Sequence, residues 1–349
     1  MDRSIRSLLR GHWYDAVAAV LADLGSDNPR LQHAARLAVA AKRILDLDAE
    51  DFGQIGSEFT SPWARALEEA SFPATPRESQ RGALGSLVGL YELMLEVLEL
   101  RAQRHEPLQV VVTAHLIGEY LPQLAFQTRL GHGGDPLRMR TSVGERWGTA
   151  SPDCTHSSAA RATAKRALNA CDGDVVGYTA YLDKFHSRLG NALAVCAMNH
   201  ETVSAGERPD VGETCPTPCG WAVEGPLEMR RDLDARVRLA LLYQDSAIVA
   251  LRHHAPVGHF FGVPSTYEIA EAWLATWERL SAPWPDGSNP LTATGVPDLG
   301  EPSEALPGMS RLVSAVAGRP IGPGTLIRTI GGQISDEIDA AAPLARQAV

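Results

Sequence analysis

The sequence predicts an all-α protein, an irregular multi-helix domain with long Gly/Pro-rich loops and a short helical C-terminal tail. Three observations carry that prediction. Apolar residues recur at helical spacing through much of the chain. Two segments, Thr75-Pro76-Arg77-Glu78 and Ser265-Thr266-Tyr267-Glu268, have the form of capping boxes that start helices. Finally, the apolar stretch from Gln109 to Phe126 is too long for one strand, although its Val110-Val111-Val112 run would suit one.

In chain order, Trp13 to Leu24 and Leu31 to Leu45 read as helices, and Asp46 to Pro73 is broken and polar. A helix is expected from Pro76 to about Arg104, with Gly82, Gly85 and Gly89 lowering its propensity. Pro107 opens the next helix. The Gly- and Pro-rich stretch from Gly131 to Pro152 reads as a loop. Helices follow over 157–171 and 175–200, and 202–225 is a long loop. Pro226 opens a helix expected to reach His254, and Ser265 starts one to about Leu280. The resulting division is a helical domain over 1–281 with a sub-boundary near 74, a Pro/Gly-rich linker over 282–308 and a tail of two short helices over 309–349. The tail is the segment through which copies of the chain could pair.

Composition narrows the classes. Apolar residues make up 44% of the chain, enough for a proper core and against disorder. The net charge of −10 argues against nucleic acid as a partner, because phosphate binding needs Lys and Arg to displace counterions. Lysine occurs only at positions 42, 165 and 184. No apolar run reaches the roughly 18 residues of a membrane span, so no membrane partner is expected. Met1 to Gly11 lacks the apolar stretch of a secretory signal, and five cysteines, an odd number, fit a reducing compartment. Together these point to a cytoplasmic protein.

Four groups of residues could carry chemistry. Cys196 and His200 lie four apart on an expected helix end, and Cys215-Pro-Thr-Pro-Cys219 can form a tight turn. Three thiolates and an imidazole match a closed tetrahedral zinc site, which would also hold the 202–225 loop. The plainer reading is a buried thiol with two incidental loop cysteines. His115 with Glu119, and Asp183 with His186, each have same-face helical spacing. Two helices presenting such pairs to each other build metal sites in bundles, here for a second transition metal. The plainer reading is a hydrogen-bonded pair and two surface residues. His253, His254 and His259 could ligate a metal or haem iron or act as acid–base groups. A helix C-terminus, however, favours histidine through its dipole alone. Arg138, Arg140, Arg146, Arg161, Lys165 and Arg166 could hold a phosphate or carboxylate, or simply form a solvated face.

No P-loop, dinucleotide-binding glycine motif, H-E-x-x-H or G-x-S-x-G occurs, which disfavours the chemistries those motifs serve. Two functional classes remain. One is a metal- or haem-dependent helical enzyme, of oxidoreductase type, acting on a small-molecule substrate, with structural zinc as a separate feature. The other is a non-enzymatic, zinc-stabilised interaction or scaffold protein.

Overall fold

The computed structural model describes residues 3–24, 27–78, 81–143, 175–184, 186–190, 193, 226–255, 258, 262–292 and 304–345. Among them the regular elements are all helices, as the sequence predicts. They are α1 (Arg3–Arg10), α2 (Tyr14–Leu24), α3 (Pro29–Leu45), α4 (Phe52–Ser57), α5 (Pro62–Glu69), α6 (Gly82–Gly85), α7 (Val88–Gln103) and α8 (Pro107–Leu130). After them come α9 (Pro136–Val143), α10 (Val175–Lys184), α11 (Leu227–Gln244), α12 (Ala247–His254), α13 (Thr266–Ser281), α14 (Met309–Ala317) and α15 (Leu326–Ala345). Among the described residues, no helix is long and apolar enough to cross a membrane.

Two apolar cores organise the molecule. The terminal core joins α1 to α5, one face of α7, and α15. Ile327, Ile330, Ile334 and Ile338 form the buried stripe of α15 at helical spacing. A fully buried side chain of this kind contributes about 1.5–3 kcal/mol, so the stripe alone fixes the helix strongly. It lies along α3, whose Ala34, Ala38 and Ala41 let the two backbones approach closely. Three polar contacts set the register. Trp63 Nε1 donates to Gln333 Oε1 at 2.7 Å, Tyr14 Oη donates to the Ile327 carbonyl at 3.2 Å, and Gly324 N donates to the Glu92 carbonyl at 2.8 Å. The apolar face of the tail is thus covered by the chain's own helices. α14 enters the other core, and Asn289, within the expected linker, is buried and donates to the carbonyls of Leu280 and Ala282.

The central core is built on α7 and α8, with α11, α12, α13 and α14 packed around them. α8 runs unbroken through Pro122. That proline has no N–H for the Gly118 carbonyl, which instead accepts from Gln244 Nε2 at 2.8 Å. Gly118 also leaves room for the Tyr243 ring, and Tyr243 Oη donates to the Ala114 carbonyl at 2.8 Å. These contacts seat α11 on α8.

Several sequence expectations need correction. The helix expected from Pro76 begins at Val88, preceded by turns and the short α6. Arg81 is drawn into a buried ion pair, and Gly82 takes a φ of 46°, which ends any continuous helix there. The 131–152 stretch contains α9. The helix expected from Pro226 to His254 breaks at Asp245-Ser246, giving α11 and α12. The capping box at Ser265 and Glu268 forms with both of its hydrogen bonds.

Candidate functional site

Cys196, His200, Cys215, Cys219 and His259 lie outside the described residues, as do Arg146, Arg161, Lys165 and Arg166. The structure does bring His115 and Glu119 together, one turn apart on α8, with Nε2 3.0 Å from Oε1. Arg252, on α12, places Nη1 2.6 Å from the same imidazole nitrogen. The exposed His253 ring stands edge-on to His115 at 6.5 Å, and His254 is exposed beside it.

This geometry does not suit a general base. One nitrogen can donate to Glu119 or accept from Arg252, but not both. His115 Nδ1 is buried and has no partner among the described residues. In neither tautomer does an imidazole nitrogen stand free at the surface, so His115 serves to tie α8 to α12. The four-way convergence expected of His115, Glu119, Asp183 and His186 is not present. Asp183 is exposed, whereas His186 is fully buried against Phe72, Tyr120 and Tyr181. The His186 carbonyl accepts from Gln123, two turns beyond His115 and therefore about 12 Å along α8. Among the described residues no group of three or more His, Cys, Asp or Glu is placed to hold a metal.

Two other features stand out, and sequence reasoning named neither. The first is the loop Gly131-His132-Gly133-Gly134-Asp135 that leaves α8. Gly131 closes the helix in the left-handed conformation, and Gly134 has a φ of 106°. His132 Nδ1 accepts from the backbone N–H groups of Gly134 and Asp135 at 3.1 and 3.0 Å. Asp135 takes Arg81 as a buried fork, Nε to Oδ2 at 2.6 Å and Nη2 to Oδ1 at 2.8 Å. Tyr181 Oη donates to the Gly134 carbonyl at 2.6 Å, and His186 Nε2 lies 3.4 Å from the Gly133 carbonyl. Burial pushes both His132 and His186 down to about 4, so both are neutral at pH 7. Among the described residues, the buried His132 Nε2, His186 Nδ1 and Gln123 Oε1 have no partner. A run of glycines holding a histidine and an aspartate was the sequence signal for this loop.

The second feature is an apolar pocket of about 370 Å³ between the α7–α8 turn, α13 and residues 305–307. Its floor is Trp273 and Trp277, whose rings lie 5.9 Å apart at a tilt of 39°. Trp273 Nε1 donates to the Pro307 carbonyl at 3.1 Å, which satisfies its only polar atom. Gly308, at φ 91°, lays its backbone on the Trp277 ring, where any side chain would collide. On the opposite wall, His105 adopts a left-handed φ of 55° and turns the chain from α7 into α8. Glu106 and Pro107, which follow that turn, also line the pocket. No known family, curated protein or solved structure matches the chain.

Proposed function

We propose that this protein binds a small apolar molecule in the pocket floored by Trp273 and Trp277. The supporting observation is the pocket itself, whose volume falls within the roughly 300–1,000 Å³ of small-molecule sites and whose wall is almost wholly apolar. Large aromatic side chains left facing such a space forgo the packing that a filled core would give them. The reading is tested by titrating the full chain with a neutral apolar fluorophore, N-phenyl-1-naphthylamine. Saturable binding at one site is expected. Ala270 lines the pocket from an exposed position, so Ala270→Trp should fill it without disturbing the core. Binding should weaken about tenfold or more in that variant, equivalent to about 1.4 kcal/mol, with the melting temperature little changed. No binding, or equal binding to both chains, would sink the reading.

A second reading is catalysis on a small molecule by a cytoplasmic enzyme, with a transition metal or haem and with zinc held by Cys196, His200, Cys215 and Cys219. The unpartnered atoms of His132, His186 and Gln123 favour catalysis, since buried polar groups without partners are rare unless function retains them. The zinc part rests on residue spacing. Elemental analysis and a visible-range spectrum of the purified protein decide it, with close to one zinc per chain expected.

A further inference from the structure

We infer that the ligand of the tryptophan-floored pocket is an amphiphile whose carboxylate or phosphate head sits among Lys42, Arg101 and Arg104; this rests on the binding reading above. The inference starts from a juxtaposition of two cavities. Glu106 and Pro107 line the apolar pocket, and the same two residues line a second cavity of about 440 Å³, walled also by Lys42, Asp46, Arg101 and Arg104. The first space is almost wholly apolar, and the second brings five charged side chains together. A molecule spanning both must be apolar at one end and ionic at the other.

The sign of the ionic end follows from counting the walls. Lys42, Arg101 and Arg104 face Asp46 and Glu106, so three cations share two carboxylates. Asp46 is paired with both Lys42 and Arg101. Glu106 is paired with both Arg101, Nη1 to Oε2 at 2.6 Å, and Arg104, Nη2 to Oε1 at 2.7 Å. Each acid is doubly engaged, and one positive charge is left over, in a chain whose net charge is −10.

The two guanidinium groups are also held in place before any ligand arrives. Arg101 Nη2 donates to the Leu45 carbonyl at 3.0 Å. Arg104 Nη1 donates to the His12 carbonyl at 2.7 Å, and its guanidinium lies 4.1 Å from the centre of the Trp13 ring. Both side chains are over nine-tenths buried, yet Arg104 Nε, a buried donor, has no acceptor among the described residues. Fixed forks suit the planar oxygens of a carboxylate or phosphate. Lys42 is partly exposed and can swing from Asp46 to an incoming anion. The surplus of positive charge among Lys42, Arg101 and Arg104 therefore draws an anionic head to the Lys42 end.

The test displaces N-phenyl-1-naphthylamine from the full chain with four single-chain molecules of equal length: decanoate, decyl phosphate, decanol and decyltrimethylammonium. One of the two anions should bind about tenfold or more tightly than decanol, and the cation more weakly than decanol. Which anion wins tells carboxylate from phosphate. The preference should shrink as salt is raised, because the cavity is partly open to solvent. Lys42→Glu should reduce the anion-to-decanol ratio to near parity, and Asp46→Asn should raise it. Equal binding of anion and alcohol, or a preference for the cation, would overturn the assignment of the head while leaving the pocket reading intact. If the fluorophore fails to bind, or binds Ala270→Trp equally well, the pocket reading itself fails and takes the head with it.

Discussion

In the terminal core Glu96 is fully buried, and both of its oxygens are in use. They accept from the backbone N–H groups of Ile327 and Arg328, at 3.1 and 3.0 Å, and so cap the start of α15. In the central core His132, His186 and Gln123, gathered around the loop after α8, are buried with one polar atom each that has no partner among the described residues. The first arrangement is what folding alone favours, because an unmade buried hydrogen bond costs about 1–3 kcal/mol. The second carries that cost several times over. The tryptophan-floored pocket and the buried polar cluster both lie in the central core.

The largest effect expected from breaking this contrast is in the central core. Asp135→Ala would leave Arg81 buried and uncompensated, and should lower stability by about 3–5 kcal/mol in chemical denaturation. A loss below about 1 kcal/mol would mean that Arg81 escapes to solvent and that the loop is not fixed by the pair. Next comes acid sensitivity. Both imidazoles are held below their ordinary value of 6.5, at about 4, by burial. The unfolded chain therefore binds more protons in that interval. The stability that depends on the neutral rings is fully present above pH 6.5 and is lost as pH falls towards 4, by up to about 3 kcal/mol for each ring. His186→Leu should flatten the stability profile across that window. Glu96 shifts the other way, since burial raises its carboxyl pKa. Burial of Glu96 therefore offsets the acid loss from His12 in the terminal core, and hydrogen exchange at mildly acid pH should open the loop after α8 before α15. The smallest effect is Glu96→Ala, about 2 kcal/mol, from the loss of two caps on α15. It should show as faster exchange in α15 with the tryptophan-floored pocket unaffected.

The contrast also explains what the sequence revealed. The limits of α8 could be read from Pro107 and Gly131, and the start of α13 from Ser265 and Glu268, because each signal acts within one helical turn. His115 and Glu119 were legible for the same reason. The Arg81–Asp135 pair was not, because its members lie far apart in sequence and nothing local announces either. The Thr75–Glu78 pattern misled because the pull on Arg81 and the positive φ of Gly82 override a local start signal. The pocket was invisible for a related reason: its walls come from three separated stretches. The short helices α4 and α5 were hidden in a stretch whose polarity suggested none.

The docking of α15 on α3 has a consequence for synthesis. Helices α1 to α5 cannot complete their core until the segment from Leu326 onward has been synthesised. Until then the apolar side of α2 and α3 is open to chaperones and proteases, while the elements of the central core appear in sequence between them. A nascent chain interrupted before that point leaves the apolar faces of α2 and α3 without the isoleucine stripe that covers them.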